Sequence, residues 1–300
     1  MAPAHNRLLS HRNRLGPGPH PHSHKPSFGV TLPSRPQPLV SIITPSFNQA
    51  EYLEETIRSV LSQDYPAVEY IVVDGGSTDG SLAILERYRS DLASVLSEPD
   101  LGQTDAINKG FQLASGDVFA WLNSDDTYLP GAISRAVQVL GERPELGMVY
   151  GNAFYVNDQG TRVARYPAGQ TDYDGLRRGI NTIPQQAMFF RSILWRMVGP
   201  LDPTFYYAMD YDLWVRVAAV TPIHFQNDYW ANFRLHSASK SLTEARRCWP
   251  EMIRVHFRDG GSRLSVLYAK YLLRRLVEPI MPWRLRFRRW RYLREQQPVG

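Results

Sequence analysis

Four clusters along the chain bring together residue types able to hold a metal or an anion, contact a polar ring, or move a proton. Asp74 and Asp79 stand in EYIVVDGGSTDG, where an apolar run gives way abruptly to acids, glycines and hydroxyls. A carboxylate fixed at the end of a buried strand can accept hydrogen bonds from a ligand's N–H or hydroxyl groups. Gly75 and Gly76 let the backbone turn and approach closely. The same residues also suit a plain strand-to-helix turn, with Asp79 as a helix-start acid. The second cluster, Asn123-Ser124-Asp125-Asp126, follows the apolar run DVFAWL. Adjacent acids beside a buried strand need a cation or solvent to neutralise them. Their hard oxygens suit Mg2+ or Mn2+; an acidic turn leading to Pro130 is the plainer alternative. The third, Met209-Asp210-Tyr211-Asp212, precedes LWVRVAAV. Acids two apart do not share a helix face, so one can cap the helix while the other faces a cleft. A cleft carboxylate can take a proton from a hydroxyl. The fourth is Arg234-Leu235-His236 in RLHSASKS. Alternation in an extended segment sets Arg234 and His236 on one side, where both can meet an anion and His236 a metal.

These clusters need elements to hold them. LVSIIT (39–44) has the apolar character of a buried strand. Asn48 and Glu51 match a helix-capping signature, and Ala50, Leu53, Ile57, Val60 and Leu61 follow at helical spacing. Strands are expected over 69–73, 93–97 and 117–122, with helices over 79–90 and 103–114; 148–156 reads as extended. This alternation implies a largely parallel sheet with helices on both faces. Ligands of such sheets bind beyond the carboxyl ends of the strands, so the loops at 45–48, 74–79 and 123–126 should share one crevice. The second half is less regular. A helix over 173–180, a strand over 185–190 and a helix over 211–220 are expected, with PIHFQ and YWANFRLH extended.

Bulk properties narrow the class. The 300 residues are 43% hydrophobic and 21% charged, an ordinary globular composition. Net charge is +5, but its distribution is uneven: residues 263–300 hold ten Lys or Arg against two acids, residues 1–38 hold five and none, and the middle is acidic. An acidic core with basic ends suits a cation-using enzyme with surface-seeking termini, and no nucleic-acid partner is expected. Cys248 is the single cysteine, so neither an intrachain disulfide nor a cysteine zinc cluster can form. No run of about 18 apolar residues is present, so no membrane-spanning helix is expected. Residues 1–38, rich in proline and histidine, read as a disordered leader. Residues 39–245 read as the catalytic domain, and 246–300 as a basic amphipathic helical region. A doubly wound dinucleotide-binding enzyme would carry G-x-G-x-x-G after its first strand, where this chain has PSFNQ.

Taken in order, the motifs resemble those of family 2 glycosyltransferases. The resemblance rests on VSIITPSFNQAEYLEETIRSVLSQDYPAVEYIVVDGGSTDGS and GQTDAINKGFQLASGDVFAWLNSDD, then QQAMFFR, VGPLDPTFYYAMDYDLWVRV and FRLHSASKS, and covers roughly 39–242. It implies a GT-A fold and an inverting transfer from a nucleotide-diphosphate sugar, with Mg2+ or Mn2+ as cofactor. Pro45, Ser46 and Phe47 would border the base and Asp74 would bind it, with Gln103 and Asp105 on the next nucleotide-contacting segment. Ser124 and Asp125 would lie beside the donor, Asp125, Asp126 and His236 would hold the metal, and Asp210 would be the catalytic base. Asn123 replaces the first acid of the family's metal motif. Met209 replaces the acid that often precedes the base, so a strongly raised pKa of Asp210 need not be assumed. The acceptor would be a glycan or a lipid-linked molecule, in cell-surface polysaccharide or glycolipid synthesis. The expected location is the cytoplasm, peripheral to an anionic inner membrane face through the C-terminal region. A non-catalytic sugar- or membrane-binding module on the same fold is the alternative.

Overall fold

The computed structural model describes residues 37–236 and 245–277. The leader up to residue 36, the segment 237–244 and the end of the basic region from 278, with Pro279, Pro282 and Trp283, lie outside the described residues. Among the described residues nine strands form one sheet in the order β3-β2-β1-β4-β8-β6-β9-β5, with β7 paired to β6. The ranges are β1 Val40–Ser46, β2 Val68–Asp74, β3 Ser94–Ser97, β4 Val118–Trp121, β5 Thr127–Tyr128, β6 Met148–Val156, β7 Arg162–Arg165, β8 Met188–Arg191 and β9 Ile223–Arg234. Strands β1 to β4 are mutually parallel, as the alternation of elements predicts. β8 then runs antiparallel to both β4 and β6, while β6 and β9 pair in parallel. The sheet is therefore mixed. Its antiparallel part comes from the second half of the chain, where strand–helix alternation in the sequence breaks down.

β1 shows why the sequence builds two layers. Val40 and Ile42 point to one face, where they pack with Leu53, Ile57 and Val60 of α1 (Ala50–Leu61). Ile43 points to the other, against Ile107 and Phe111 of α3 (Gln103–Leu113). α3 approaches the strand so closely that a Cβ on Gly110 would lie 2.3 Å from Ile43 Cγ2. On that second face also lie α5 (Tyr173–Arg177), α6 (Ser192–Val198) and α7 (Met209–Val220). α2 (Ser81–Arg87) and α4 (Ala132–Glu142) cover the first. The α1 start differs from expectation. Asn48 takes a left-handed φ of 52° and sends its Oδ1 to the Thr78 N–H at 2.8 Å. Asp79 caps α1 instead, accepting the Ala50 N–H at 2.9 Å from the neighbouring loop.

Two helices close the described chain, α8 (Ala245–Arg258) and α9 (Val266–Val277). The expected boundary between 245 and 246 falls inside α8, and α8 is part of the core. Met252 and Val255 are buried with Met209 and Tyr211 of α7. Asp212, fully buried, accepts from Arg216 at 2.9 Å and pairs with Arg258, tying α7 to α8. α9 follows through Leu267, which is 1% exposed, and its outer face leaves Leu272, Leu273 and Leu276 open to solvent.

Candidate active site

The register aligns Ser46 with Asp74 at the shared carboxyl edge of β1 and β2, and β4 ends beside them. Beyond that edge lies a cavity of about 970 Å³. Its walls come from the expected loops, from the start of α7 and from α8 and α9.

Pro45, Ser46 and Phe47 line it, with Phe47 58% exposed. The Ser46 hydroxyl is buried without a protein hydrogen-bond partner, which leaves a donor on the lining for a ligand. Asp74 differs from its expected place. It is fully buried, off the lining, and spends its oxygens on its own surroundings: the Gly76 and Ser77 N–H groups at 3.1 and 2.9 Å, and the hydroxyls of Ser77 and Ser97. Its carboxylate shapes the glycine turn, and Gly75 reaches the cavity in its stead. Asp100, which the sequence reading passed over, stands directly against Gly75, where an added Cβ would come within 2.6 Å of its carboxylate. Its signal was present: an acid past a strand, just before a glycine that opens a helix.

Gln103 lines the cavity at the start of α3, but Asp105 turns away, accepting the Leu101 N–H and pairing with Lys109 at 3.2 Å. Asn123 is held on all sides by amides. Its Oδ1 accepts from Gln103 at 2.6 Å, and its Nδ2 donates to Gln185 at 3.1 Å and to Asp126 at 3.2 Å. Gln185 in turn donates to the Trp121 carbonyl, so the amide chain locks the loop onto the end of β4. An acid at 123 could not both accept and donate in this way.

Within Asn123–Asp126 the two acids part. Asp125 lines the cavity and meets His236 Nε2 at 3.0 Å. His236, 6% exposed, also lines it and lies 4.9 Å from the Tyr52 ring. Asp126 is buried and off the lining, contrary to the expected metal role. It accepts the Arg234 N–H at 2.9 Å, fastening the end of β9. Burial, then the charge of Asp125, pushes its pKa well above the ordinary carboxylate range. Arg234 also serves the scaffold, donating to the carbonyls of Asp125 and Asp158 and pairing with Glu55. Ser124 lines the cavity, and Thr56 holds its carbonyl at 2.9 Å.

Asp125 and His236 are therefore the pair that could hold a cation. Among the described residues no group of three or more metal-ligating side chains occurs. The Asp125 carboxylate alone still fits an ion such as Mg2+, which is commonly bound by one or two carboxylates with substrate phosphates and water supplying the rest.

Asp210 lies across the cavity, half-buried at the start of α7. Its Oδ1 accepts the Tyr211 N–H at 2.6 Å. Burial raises its pKa to about 6, and the negative charge of Glu251 adds to the rise. The sequence reading weighed only an acid next in sequence; desolvation is the larger cause here. Glu251, on α8, accepts the N–H groups of Tyr206, Tyr207 and Ala208 at 3.1, 2.8 and 2.8 Å. Three successive donors on one carboxylate fix the turn that aims Asp210. Glu251 had no legible signal, because it lies some forty residues from the turn it holds.

The sequence model of glycosyl transferase family 2 matches residues 41–198, more than half of the chain. An uncharacterized glycosyltransferase of Rickettsia prowazekii is 30% identical over 213 residues, covering 69% of this chain and 67% of that protein. One from Mycobacterium tuberculosis is 36% identical over 188 residues, covering 61% and 70%. A putative teichuronic acid biosynthesis glycosyltransferase of Bacillus subtilis is 39% identical over 110 residues, covering 36% and 44%. Among solved structures, S. aureus TarS 1–349 in complex with UDP-GlcNAc superposes with a TM-score of 0.60 at 18% identity, covering 78% of this chain and 71% of that one. The mannosyltransferase PcManGT of Pyrobaculum calidifontis, in complex with GDP-Man and Mn2+, gives 0.57 at 20%, covering 79% and 70%. The fold is the GT-A fold. The chain belongs to glycosyl transferase family 2 and is a glycosyltransferase.

Proposed function

We propose that this chain transfers a sugar from a nucleotide-diphosphate donor to an acceptor hydroxyl with inversion, Asp210 acting as the base. One observation carries the reading. Asp210, with a pKa near 6, faces the same cavity as the Asp125–His236 pair and the β1–β2 loops. A carboxylate so tuned is ionised at neutral pH yet basic enough to take a hydroxyl proton. The acceptor oxygen attacks the anomeric carbon from the face opposite the diphosphate, whose bond breaks as the new one forms. The proton passes to an Asp210 oxygen. No protein nucleophile is needed in a single displacement. Pro45, Ser46, Phe47, Gly75 and Gln103 would receive the nucleotide. Asp125 and His236 would hold Mg2+ or Mn2+, which when bound neutralises charge on the departing diphosphate.

The reading extends to location. No helix among the described residues is long and apolar enough to cross a membrane. α9 exposes Leu272, Leu273 and Leu276 beside Lys270 and Arg275, a combination suited to an anionic lipid surface. A peripheral position on the inner membrane face follows, close to a lipid-linked acceptor in surface-polysaccharide or glycolipid synthesis. The deciding experiment is a panel of nucleotide sugars scored by thermal shift with Mn2+ and then by hydrolysis and transfer. A bound donor at 100 times its dissociation constant should stabilise the fold by about 2.7 kcal/mol. A panel in which no nucleotide sugar binds or turns over would sink the reading. Co-sedimentation with anionic against neutral vesicles tests the membrane part.

A further inference from the structure

The C-terminal wall of the cavity carries chemistry that the donor side does not account for. α8 and α9 place Cys248, Trp249, Met252 and Arg274 on the lining. Arg274 is the one Lys or Arg on that lining among the described residues; the other walls bring the acids Asp100, Asp125 and Asp210. Its guanidinium lies 5.4 Å from the centroid of the Trp249 ring. It is half-buried, and among the described residues no carboxylate stands within ion-pairing distance of it. Nearby arginines are otherwise committed: Arg258 to Asp212, and Arg254 to Thr204. A partly desolvated guanidinium with no carboxylate beside it among the described residues is poised to receive an anion, and its planar fork matches phosphate oxygens in pairs.

Position separates this anion from the donor's diphosphate. The nucleotide loops lie at the carboxyl ends of β1 and β2, and the cation-holding pair at the end of β4. Arg274 belongs to the wall made by α8 and α9, with Asp210 close by: Cys248 feels the charges of both Asp210 and Arg274. An acceptor hydroxyl placed against Asp210 would lie next to that wall. The same helix then offers an apolar surface, because Leu272, Leu273 and Leu276 next to Arg274 are 42%, 62% and 72% exposed. Cation, aromatic face and exposed leucines thus follow one another along α8 and α9.

We propose that Arg274 and Trp249 form the acceptor subsite, and that it takes a phosphate joined to an apolar chain. This deepens the glycosyl-transfer reading and rests on it. The guanidinium meets the phosphate, the indole packs against the group next to it, and the α9 leucines cover the chain.

Binding to the full chain tests the idea with farnesyl phosphate below its micelle concentration, farnesol and inorganic phosphate. Each is titrated with and without saturating UDP or GDP plus Mn2+. Farnesyl phosphate should bind the nucleotide-loaded protein at least about tenfold more tightly than either fragment. Loss of one charged hydrogen-bonding partner, in Arg274→Ala, should weaken it about 10- to 100-fold. Arg274→Lys should recover part of the loss, with nucleotide affinity unchanged in both variants. Trp249→Leu should weaken farnesyl phosphate and spare nucleotide. If Arg274→Ala instead weakens UDP or GDP and spares farnesyl phosphate, Arg274 serves the donor and the proposal falls. It also falls if inorganic phosphate binds as well as farnesyl phosphate, or if the variants bind it like the parent. Absence of nucleotide binding would count against the glycosyl-transfer reading, while the nucleotide-free titrations would still report on this subsite.

Discussion

The two acidic motifs, the loop at 123–126 and the first turn of α7 at 209–212, divide their labour in the same way and anchor it differently. Asp125 and Asp210 face the cavity, while Asp126 and Asp212 face the scaffold. The scaffold acid of the first loop is met by a backbone N–H and an amide, and its pKa is driven up. That of the second is met by two arginines. One loop is sealed by neutral donors inside the sheet, the other by charge between helices. Adjacent acids in a motif are therefore not interchangeable. The side chain that reaches the cavity is chosen by where its neighbour finds a partner.

The largest expected effect separates Asp210 from its neighbour. Asp210→Asn should fold and lose about 10²- to 10⁴-fold in kcat, the usual worth of a general base. It should melt no lower at neutral pH, since a desolvated charge has been removed. Near-parental kcat in the folded variant would take the role from Asp210. Asp212→Ala should act on stability, by about 3 kcal/mol, because Arg216 and Arg258 lose their shared partner. A normal unfolding midpoint would remove the ion-paired anchor from the comparison. In the first loop, Asp126→Ala should cost about 1–3 kcal/mol by orphaning the Arg234 N–H. Asp125→Ala should leave the melting temperature nearly unchanged and weaken Mn2+-dependent nucleotide binding. Reversal of those two outcomes, read by calorimetry and titration, would overturn the division.

Acidity gives a subtler test. A base with a pKa raised to about 6 is active when deprotonated, so kcat should fall as pH drops through about 6. Stability moves oppositely. The folded state holds the Asp210 proton more tightly than the unfolded chain, so its contribution is present below the unfolded value and is lost as pH rises through about 6. The smallest expected change is in Glu251→Gln. Removing its charge should shift the acid limb of the rate profile to lower pH by a fraction of a unit. An unmoved limb would leave Glu251 a role only in holding the turn.

Much of the first half was legible because its strands are buried apolar runs and its helices repeat every three or four residues. β6 at 148–156 and the α7 region were visible for the same reasons. Less legible was the inward turn of Asp74, Asp105 and Asp126. Each is an acid in the right loop, but its orientation depends on donors brought by folding: Ser97, Lys109 and the Arg234 N–H. α4 escaped because its glycine start and the Pro130 before it read as a turn. The docking of α8 depends on Asp212–Arg258 and on three N–H groups converging on Glu251, long-range pairings that no local pattern carries.

The Glu251 bridge has a consequence for how the molecule comes into being. During synthesis the sheet, the Asp125–His236 pair and Asp210 all leave the ribosome before α8 does. Until α8 has emerged, the turn at 206–208 lacks the carboxylate that accepts its three N–H groups, and the cavity lacks a side. α8 therefore completes the turn before Asp210 and one wall of the cavity only after the sheet that carries the rest of the cavity has been made.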